Sequence, residues 1–239
     1  MNIALIGYGK MGKEIESIAL QRGHNLVAIY SSNKTISTEI LKTQAIDCAI
    51  EFTKPEAAVA NIEHCFAANI PVVVGTTGWY QKLNHVKQLC SEQNQALLYA
   101  SNFSLGVTIF FELNKKLAQL MQEYPNYEVS MQEIHHLQKL DAPSGTAITL
   151  ANDLLDILPN KTKWVNKVSK LKNEIGIESL RIEGIPGTHS ISYSSEIDSI
   201  QIKHTAHNRK GFALGAVIAA EWLINKKGVH EMKHVLGYA

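Results

Sequence analysis

The first 23 residues constrain the fold more than any other stretch. Ile3-Ala4-Leu5-Ile6 is a short continuous apolar run, the pattern of a strand buried on both faces within a parallel sheet. Gly7-Tyr8-Gly9-Lys10-Met11-Gly12 follows at once, and Lys13 to Arg22 then reads as a helix closed by Gly23. Strand, G-x-G-x-x-G and helix in this order is the arrangement that binds a dinucleotide. Gly7 permits the tight turn, Gly9 lets the backbone approach a pyrophosphate, and Gly12 lets the helix pack close to the strand.

The alternation of strand and helix continues. Asn25 to Tyr30, Asp47 to Phe52, Pro71 to Val74 and Ala96 to Ala100 read as strands, with helices over Pro55 to Ala68 and Tyr80 to Glu92. In such a sheet the ligand lies beyond the C-terminal ends of the strands. Gly75, Thr76 and Thr77 stand at one such end, and Asn102 at another, where it can hydrogen-bond a carboxamide or cap the next helix. Trp79 is expected to pack rather than to bind. NAD-specific proteins commonly hold the adenosine ribose with an acidic residue after the second strand. Here Tyr30-Ser31-Ser32-Asn33-Lys34 carries none, which favours NADPH over NADH while leaving both open.

The pattern changes near Phe103. Val107 to Tyr124 is a long helix, and Tyr127 to Ile134 alternates as a half-buried strand does. The segment Glu133-Ile134-His135-His136-Leu137-Gln138-Lys139-Leu140-Asp141-Ala142-Pro143-Ser144-Gly145-Thr146-Ala147 then runs through a turn into a helix over Thr146 to Leu158. A helix start offers unpaired N–H groups and positive partial charge to an anion, with Ser144 or Thr146 as cap. Two imidazoles and an amine add positive charge and proton transfer. Together they describe a pocket for a small polyanion at which protonation occurs.

Beyond it, Lys161 to Lys172 reads as a solvated loop. Short strands follow at Ser179 to Ile185, His189 to Ser195 and Ser199 to His204, then an apolar helix at Gly211 to Asn225 suited to docking back on the first domain. His189 is read as structural. His204, His207 and Arg209 lack metal-ligand spacing, so no metal is expected. The fold class is therefore α/β. An N-terminal Rossmann domain (1–103 plus 212–239) is joined to an α+β mixed-sheet domain for substrate and oligomerisation (104–211).

Composition narrows the functions. The 239 residues are 45% hydrophobic and carry a net charge of +1, which gives no footprint for nucleic acid or a membrane surface. Three scattered cysteines and no signal-peptide core point to a reducing cytoplasm.

Gly7-Tyr8-Gly9-Lys10-Met11-Gly12, Gly75-Thr76-Thr77-Gly78, Asn102-Phe103-Ser104 and the His135 to Ala147 string, taken together, resemble the 4-hydroxy-tetrahydrodipicolinate reductase family over nearly the whole chain. The resemblance implies an enzyme of lysine and diaminopimelate biosynthesis, built as a homotetramer. It takes hydride from NADPH or NADH to C4 of its dicarboxylate substrate, with loss of water, giving tetrahydrodipicolinate. It implies His135 as proton donor and acceptor, Lys139 as proton donor, and His136, Gly145 and Thr146 as ligands of a substrate carboxylate. Gly7, Tyr8, Gly9, Lys10, Met11, Gly12, Gly75, Thr76, Thr77, Ala100, Ser101, Asn102 and Phe103 would line the cofactor. The chain departs from the family pattern in a glycine loop one residue shorter, with Lys10 where Arg is frequent, Ser101 where Pro is common and Glu51 where Asp is common. These departures bear on cofactor preference only. An amino-acid dehydrogenase of the aspartate or homoserine type, or a protein that senses NADP(H), would share the first hundred residues but would not need the His135 to Thr146 string.

Overall fold

The computed structural model of the chain describes residues 1–31 and 36–238. In chain order its elements are β1 (Asn2–Ile6), α1 (Lys10–Gln21), β2 (Asn25–Tyr30), α2 (Thr38–Lys42), β3 (Cys48–Glu51), α3 (Pro55–Ala67), β4 (Val72–Val74), α4 (Leu83–Glu92), β5 (Ala96–Tyr99) and α5 (Leu105–Met121). These are followed by β6 (Glu128–His135), α6 (Gly145–Ile157), β7 (Lys163–Val165), β8 (Glu174–Arg181), β9 (Gly187–Ser194), β10 (Ser199–Ala206), α7 (Lys210–Leu223), β11 (Gly228–His230) and α8 (Met232–Val235). The chain forms two compact units, Met1–Leu105 with Lys210–Ala239, and Gly106–Arg209.

The first unit is a six-stranded sheet in the order β11-β5-β4-β3-β1-β2, with every described pairing parallel. Alternation along β1 sends its side chains to two cores. Ile3 and Leu5 pack with Ile15 of α1 and with Ala216, Val217 and Ala220 of α7. Ala4 and Ile6 pack with Ile62 and Phe66 of α3. A strand covered on both faces must be apolar throughout, as the unbroken run Ile3 to Ile6 is. Helices α3, α4 and α7 are each followed by an asparagine in the left-handed region, Asn69, Asn94 and Asn225, the residue after glycine best able to end a helix that way. The apolar helix α7 packs into this first-unit core, against Phe103. A Cβ at Gly215 would lie 1.7 Å from the Phe103 carbonyl oxygen, so only glycine permits the approach.

The second unit is a five-stranded mixed sheet, β10-β9-β6-β8-β7. β6 runs parallel to β8 and antiparallel to β9. Its core joins Val129 and Met131 of β6, Leu150 and Leu154 of α6, Ile175 and Ile177 of β8, and Ile191 of β9.

Several boundaries differ from those read in the sequence. The stretch expected as a solvated loop contains β7, where Trp164 and Val165 are half-buried beside β8. β8 begins at Glu174 and ends at Arg181, because Gly184 takes a positive φ and turns the chain. Strand β11 was not anticipated, since three residues carry no periodicity; it pairs with β5 through the register Gly228 to Ala96.

Candidate active site

On the first unit, the segments read as cofactor-binding lie along one edge of the sheet, at the C-terminal ends of β1, β4 and β5. Gly7 has φ +100°, and a Cβ there would meet the Phe52 carbonyl oxygen at 2.0 Å. A Cβ at Gly12 would meet the Gly7 carbonyl oxygen at 2.3 Å, whereas one at Gly9 would meet nothing within 4 Å. Gly9 caps α1 with no side-chain hydrogen bond, and the first turn holds no acidic residue. The opening of α1 is thus bare, positively polarised backbone facing open space, as a pyrophosphate requires. Of the residues between, Lys10 is exposed, and Tyr8 and Met11 are half-buried; the Tyr8 hydroxyl donates to Glu16.

Glu51 organises the neighbouring strand ends. It is fully buried, and its Oε1 accepts from the Thr53 amide at 3.2 Å, from Asn61 Nδ2 at 3.3 Å and from the Thr53 hydroxyl. Burial raises its pKa against those donors. The Thr53 amide also donates to Thr76 Oγ1 at 2.7 Å, so the Thr76 hydroxyl is already engaged and buried while Thr77 is exposed. Gly75 packs its α-carbon against the Phe52 ring, 2.1 Å from where a Cβ would lie. Trp79 is buried and donates Nε1 to the Thr76 carbonyl at 2.8 Å. Asn102 Oδ1 accepts the Ser104 amide at 2.9 Å, the capping role of its two readings. Phe103 is in the core, Ala100 is half-buried and Ser101 is exposed. The ribose-side argument falls largely on Ser32, Asn33 and Lys34, which lie outside the described residues.

On the second unit, alternation along β6 turns Val129, Met131, Glu133 and His135 to the buried face. A carboxylate at a core position must be paired, and Glu133 is paired on every side. Both of its oxygens accept the Ser144 amide, at 3.1 and 3.0 Å. Arg181 lies 3.4 Å from Oε1, and His189 Nε2 lies 3.7 Å from Oε2. Burial opposes its charge, yet His189 and Ser144 outweigh burial and hold the carboxyl well below the usual range. His135 Nδ1 is 3.5 Å from Glu133 Oε2 without the alignment of a hydrogen bond. Its ring meets His189 edge-on at 5.0 Å. Burial lowers the His135 pKa to about 4, with His189, Lys139 and Arg181 acting the same way and Glu133 against them. His135 is therefore neutral at neutral pH.

Ser144 is the N-cap of α6. Its Oγ accepts the Ala147 amide at 3.2 Å and shares a hydrogen bond with His189 Nε2 at 3.0 Å. With Ala147 N–H and Ser144 N–H taken, the Gly145 and Thr146 amides are the open donors of this helix start. A Cβ at Gly145 would meet nothing within 4 Å. The His136 Nδ1 is buried without a partner. Lys139 Nζ pairs with Asp141 at 2.8 and 2.9 Å. The second unit thus brings His135, His136, Lys139, Gly145 and Thr146 onto one loop and helix start. Glu133, His135 and His189 also place one ligand atom each within 4.8 Å of one another. Both Glu133 oxygens accept the Ser144 amide and Oε1 also faces the Arg181 guanidinium, so the positive charge placed against this carboxylate is Arg181. Sequence reasoning places Glu133 in the central stretch and Arg181 in a second polar run ending at His189, but assigns neither a role and reads His189 as structural. The available signal was the period-2 pattern, which puts Glu133 on the face of Val129 and Met131.

A nucleotide-binding edge on a doubly wound parallel sheet, and an acid–base loop at a helix start on a second unit, define a nucleotide-dependent oxidoreductase. Residues 1–103 match the family described as Dihydrodipicolinate reductase, N-terminus, and residues 106–236 match Dihydrodipicolinate reductase, C-terminus, so the chain belongs to the dihydrodipicolinate reductase family. It is 50% identical over 236 residues to the 4-hydroxy-tetrahydrodipicolinate reductase of Christiangramia forsetii, covering 99% of this chain and 98% of the relative. Against the enzyme of that name from Thermosipho africanus it is 33% identical over 238 residues, 99% of this chain and 98% of the relative. Among solved structures it resembles dipicolinate-bound dihydrodipicolinate reductase from Paenisporosarcina sp. TG-14, with a TM-score of 0.77, 25% identity and 97% of each chain covered. The activity is accordingly a reduction with NADH or NADPH, in lysine and diaminopimelate biosynthesis.

Proposed function

We propose that Lys139 is the proton donor of this reduction and that His135 is the neutral group that receives and returns a proton beside it. His136 and the amides of Gly145 and Thr146 hold a carboxylate of a small dicarboxylate substrate. The bare opening of α1 and the ends of β4 and β5, from Gly7 to Gly12, Gly75 to Thr77 and Ala100 to Phe103, hold NADPH or NADH. The observation that carries this reading is the pair of open amides at the start of α6, set in the same short segment as the Lys139 ammonium. Two N–H donors, a helix dipole and a cation suit a carboxylate.

The residues also suit the reaction. Hydride added at C4 of a conjugated imine leaves negative charge on nitrogen and carbon, so a proton must follow. Imidazolium is scarce at neutral pH for a group with a pKa near 4, which leaves the ammonium as the acid. The conjugated imine itself forms as the C4 hydroxyl and a proton from C5 leave together as water, before the hydride arrives.

The chain works as a homotetramer in the cytoplasm in this reading, and light scattering tests the assembly. No helix among the described residues is long and apolar enough to cross a membrane.

The activity test follows nucleotide oxidation with substrate generated in place from pyruvate and aspartate semialdehyde by a synthase. Synthase-dependent oxidation by the wild-type protein, lost in Lys139→Ala and His135→Ala, supports the roles. Wild-type turnover in both variants removes them. The ratio of rates with NADPH and NADH decides the nucleotide preference.

A further inference from the structure

Arg181 has no part in the roles assigned above, yet its side chain reaches three backbone carbonyls and a buried carboxylate. It is the last residue of β8 and the register partner of His135 across the parallel ladder. The Ile182 amide, next in the chain, donates to the His135 carbonyl at 2.8 Å. A guanidinium has five N–H donors in a rigid fork, and the structure accounts for all five. Nε donates to the Lys139 carbonyl at 3.2 Å. One terminal nitrogen donates to the Leu180 carbonyl at 2.8 Å and faces Glu133 Oε1 at 3.4 Å. The other donates to the Asp141 carbonyl at 2.5 Å and faces the same Glu133 oxygen at 3.4 Å. No donor remains for a substrate carboxylate.

The loop that Arg181 grips has no apolar anchor of its own. Leu137 is 62% exposed and Leu140 is 97% exposed. Between Leu137 and Asp141, backbone order comes from the turn bond of the Lys139 amide to the His136 carbonyl at 3.1 Å and from the guanidinium. The carbonyls it binds belong to Lys139 itself and to Asp141, whose side chain holds the Lys139 ammonium.

We propose that Arg181 is a positioning residue for proton transfer: anchored on buried Glu133, it fixes the backbone on either side of Leu140 and thereby the place at which the Lys139 ammonium is presented. This rests on the reading of Lys139 as proton donor. Lysine cannot replace it, because one ammonium does not span two carbonyls and a carboxylate. The guanidinium also belongs to the set of charged and titratable groups around His135, with Glu133 on the same strand, Lys139 in the loop and His189 on β9. Removing this cation lets His135 take up a proton at higher pH.

The test compares wild type, Lys139→Ala, Arg181→Ala and Arg181→Lys in the coupled nucleotide-oxidation assay, across pH and with or without millimolar guanidinium. In Arg181→Ala, kcat is expected to fall about tenfold or more while the KM for NADPH stays within about twofold, since the nucleotide is held by other residues. The acid limb of kcat should move to higher pH. Added guanidinium should restore part of the rate in Arg181→Ala and none in Lys139→Ala. An Arg181→Ala protein that is folded, with wild-type kcat and pH profile beside an inactive Lys139→Ala, overturns the proposal. If Arg181→Ala does not fold, Arg181→Lys decides: a lowered kcat at unchanged nucleotide KM supports positioning, and a wild-type kcat refutes it. Full activity in Lys139→Ala instead removes the reading beneath the proposal, whatever the arginine variants do.

Discussion

Glu133 and His189 stand opposite each other in the antiparallel β6–β9 pair, with His189 Nε2 3.7 Å from a carboxylate oxygen and 3.0 Å from the Ser144 hydroxyl. Four segments, β6, β8, β9 and the cap of α6, therefore meet at one buried charge. That charge couples the site to acid. Glu133 titrates well below its ordinary range in the folded chain, so it stabilises the fold above the unfolded carboxylate pKa and ceases to do so as pH falls through the folded one. His135 has its pKa lowered from 6.5 to about 4, so between those values the unfolded chain binds more protons and stability is lost as pH falls. Thermal stability should fall from pH 6.5 towards pH 4, and His135→Asn should flatten that slope, by up to about 3 kcal/mol. An unchanged slope in the variant would assign the acid sensitivity elsewhere.

Asp153 on α6 should behave in the opposite sense. Its Oδ2 is buried without a hydrogen-bond partner, and burial raises its pKa to about 6, with Lys115 opposing and Glu112 and Asp156 assisting. The folded chain holds the proton more tightly than the unfolded one, so this residue costs stability as pH rises from about 4 to 6. Asp153→Asn should stabilise the protein at pH 7.5 by about 1 kcal/mol, a figure reduced for partial exposure, with little gain at pH 4. Denaturant unfolding at the two pH values checks the difference.

The glycines separate fold from ligand. Gly9 and Gly145 have open space where a Cβ would be. Gly9→Ala should leave the melting temperature within about 2 °C and raise the nucleotide KM about tenfold, near 1.4 kcal/mol of lost binding. Gly145→Ala should spare nucleotide KM and raise substrate KM instead. Gly215→Ala, which drives a methyl into the Phe103 carbonyl, should cost about 3 kcal/mol of stability. Calorimetry beside steady-state kinetics distinguishes the three.

Ser144→Ala removes the cap of α6 and the hydroxyl partner of His189 together. A loss of about 1–2 kcal/mol is expected from the cap, measured by denaturant unfolding, while Ser144→Asp should recover little of it beside the buried Glu133 carboxylate.

What the sequence disclosed depended on the range of the interactions involved. The turn from Gly7 to Gly12 and the strand Ile3 to Ile6 were legible because backbone sterics and two-sided burial act on neighbours. The helix start at Ser144 was legible for the same reason. Arg181 is 48 residues from Glu133, and His189 reaches Ser144 across 45. Nothing local marks such pairs except a charge at a core-facing register, which Glu133 displays. β7 and β11 escaped notice because each has three residues and exists only through a neighbouring strand.

The placement of β11 and α7 has a consequence for the order in which the protein takes shape. As the chain leaves the ribosome, residues 106–209 contain every strand of the five-stranded sheet, and they emerge before Lys210. The six-stranded sheet waits for its last strand, and Phe103 waits for Gly215 to close over it. The unit synthesised first is thus the unit completed last, and a nascent chain halted at Arg209 carries a finished second unit tethered to an open one.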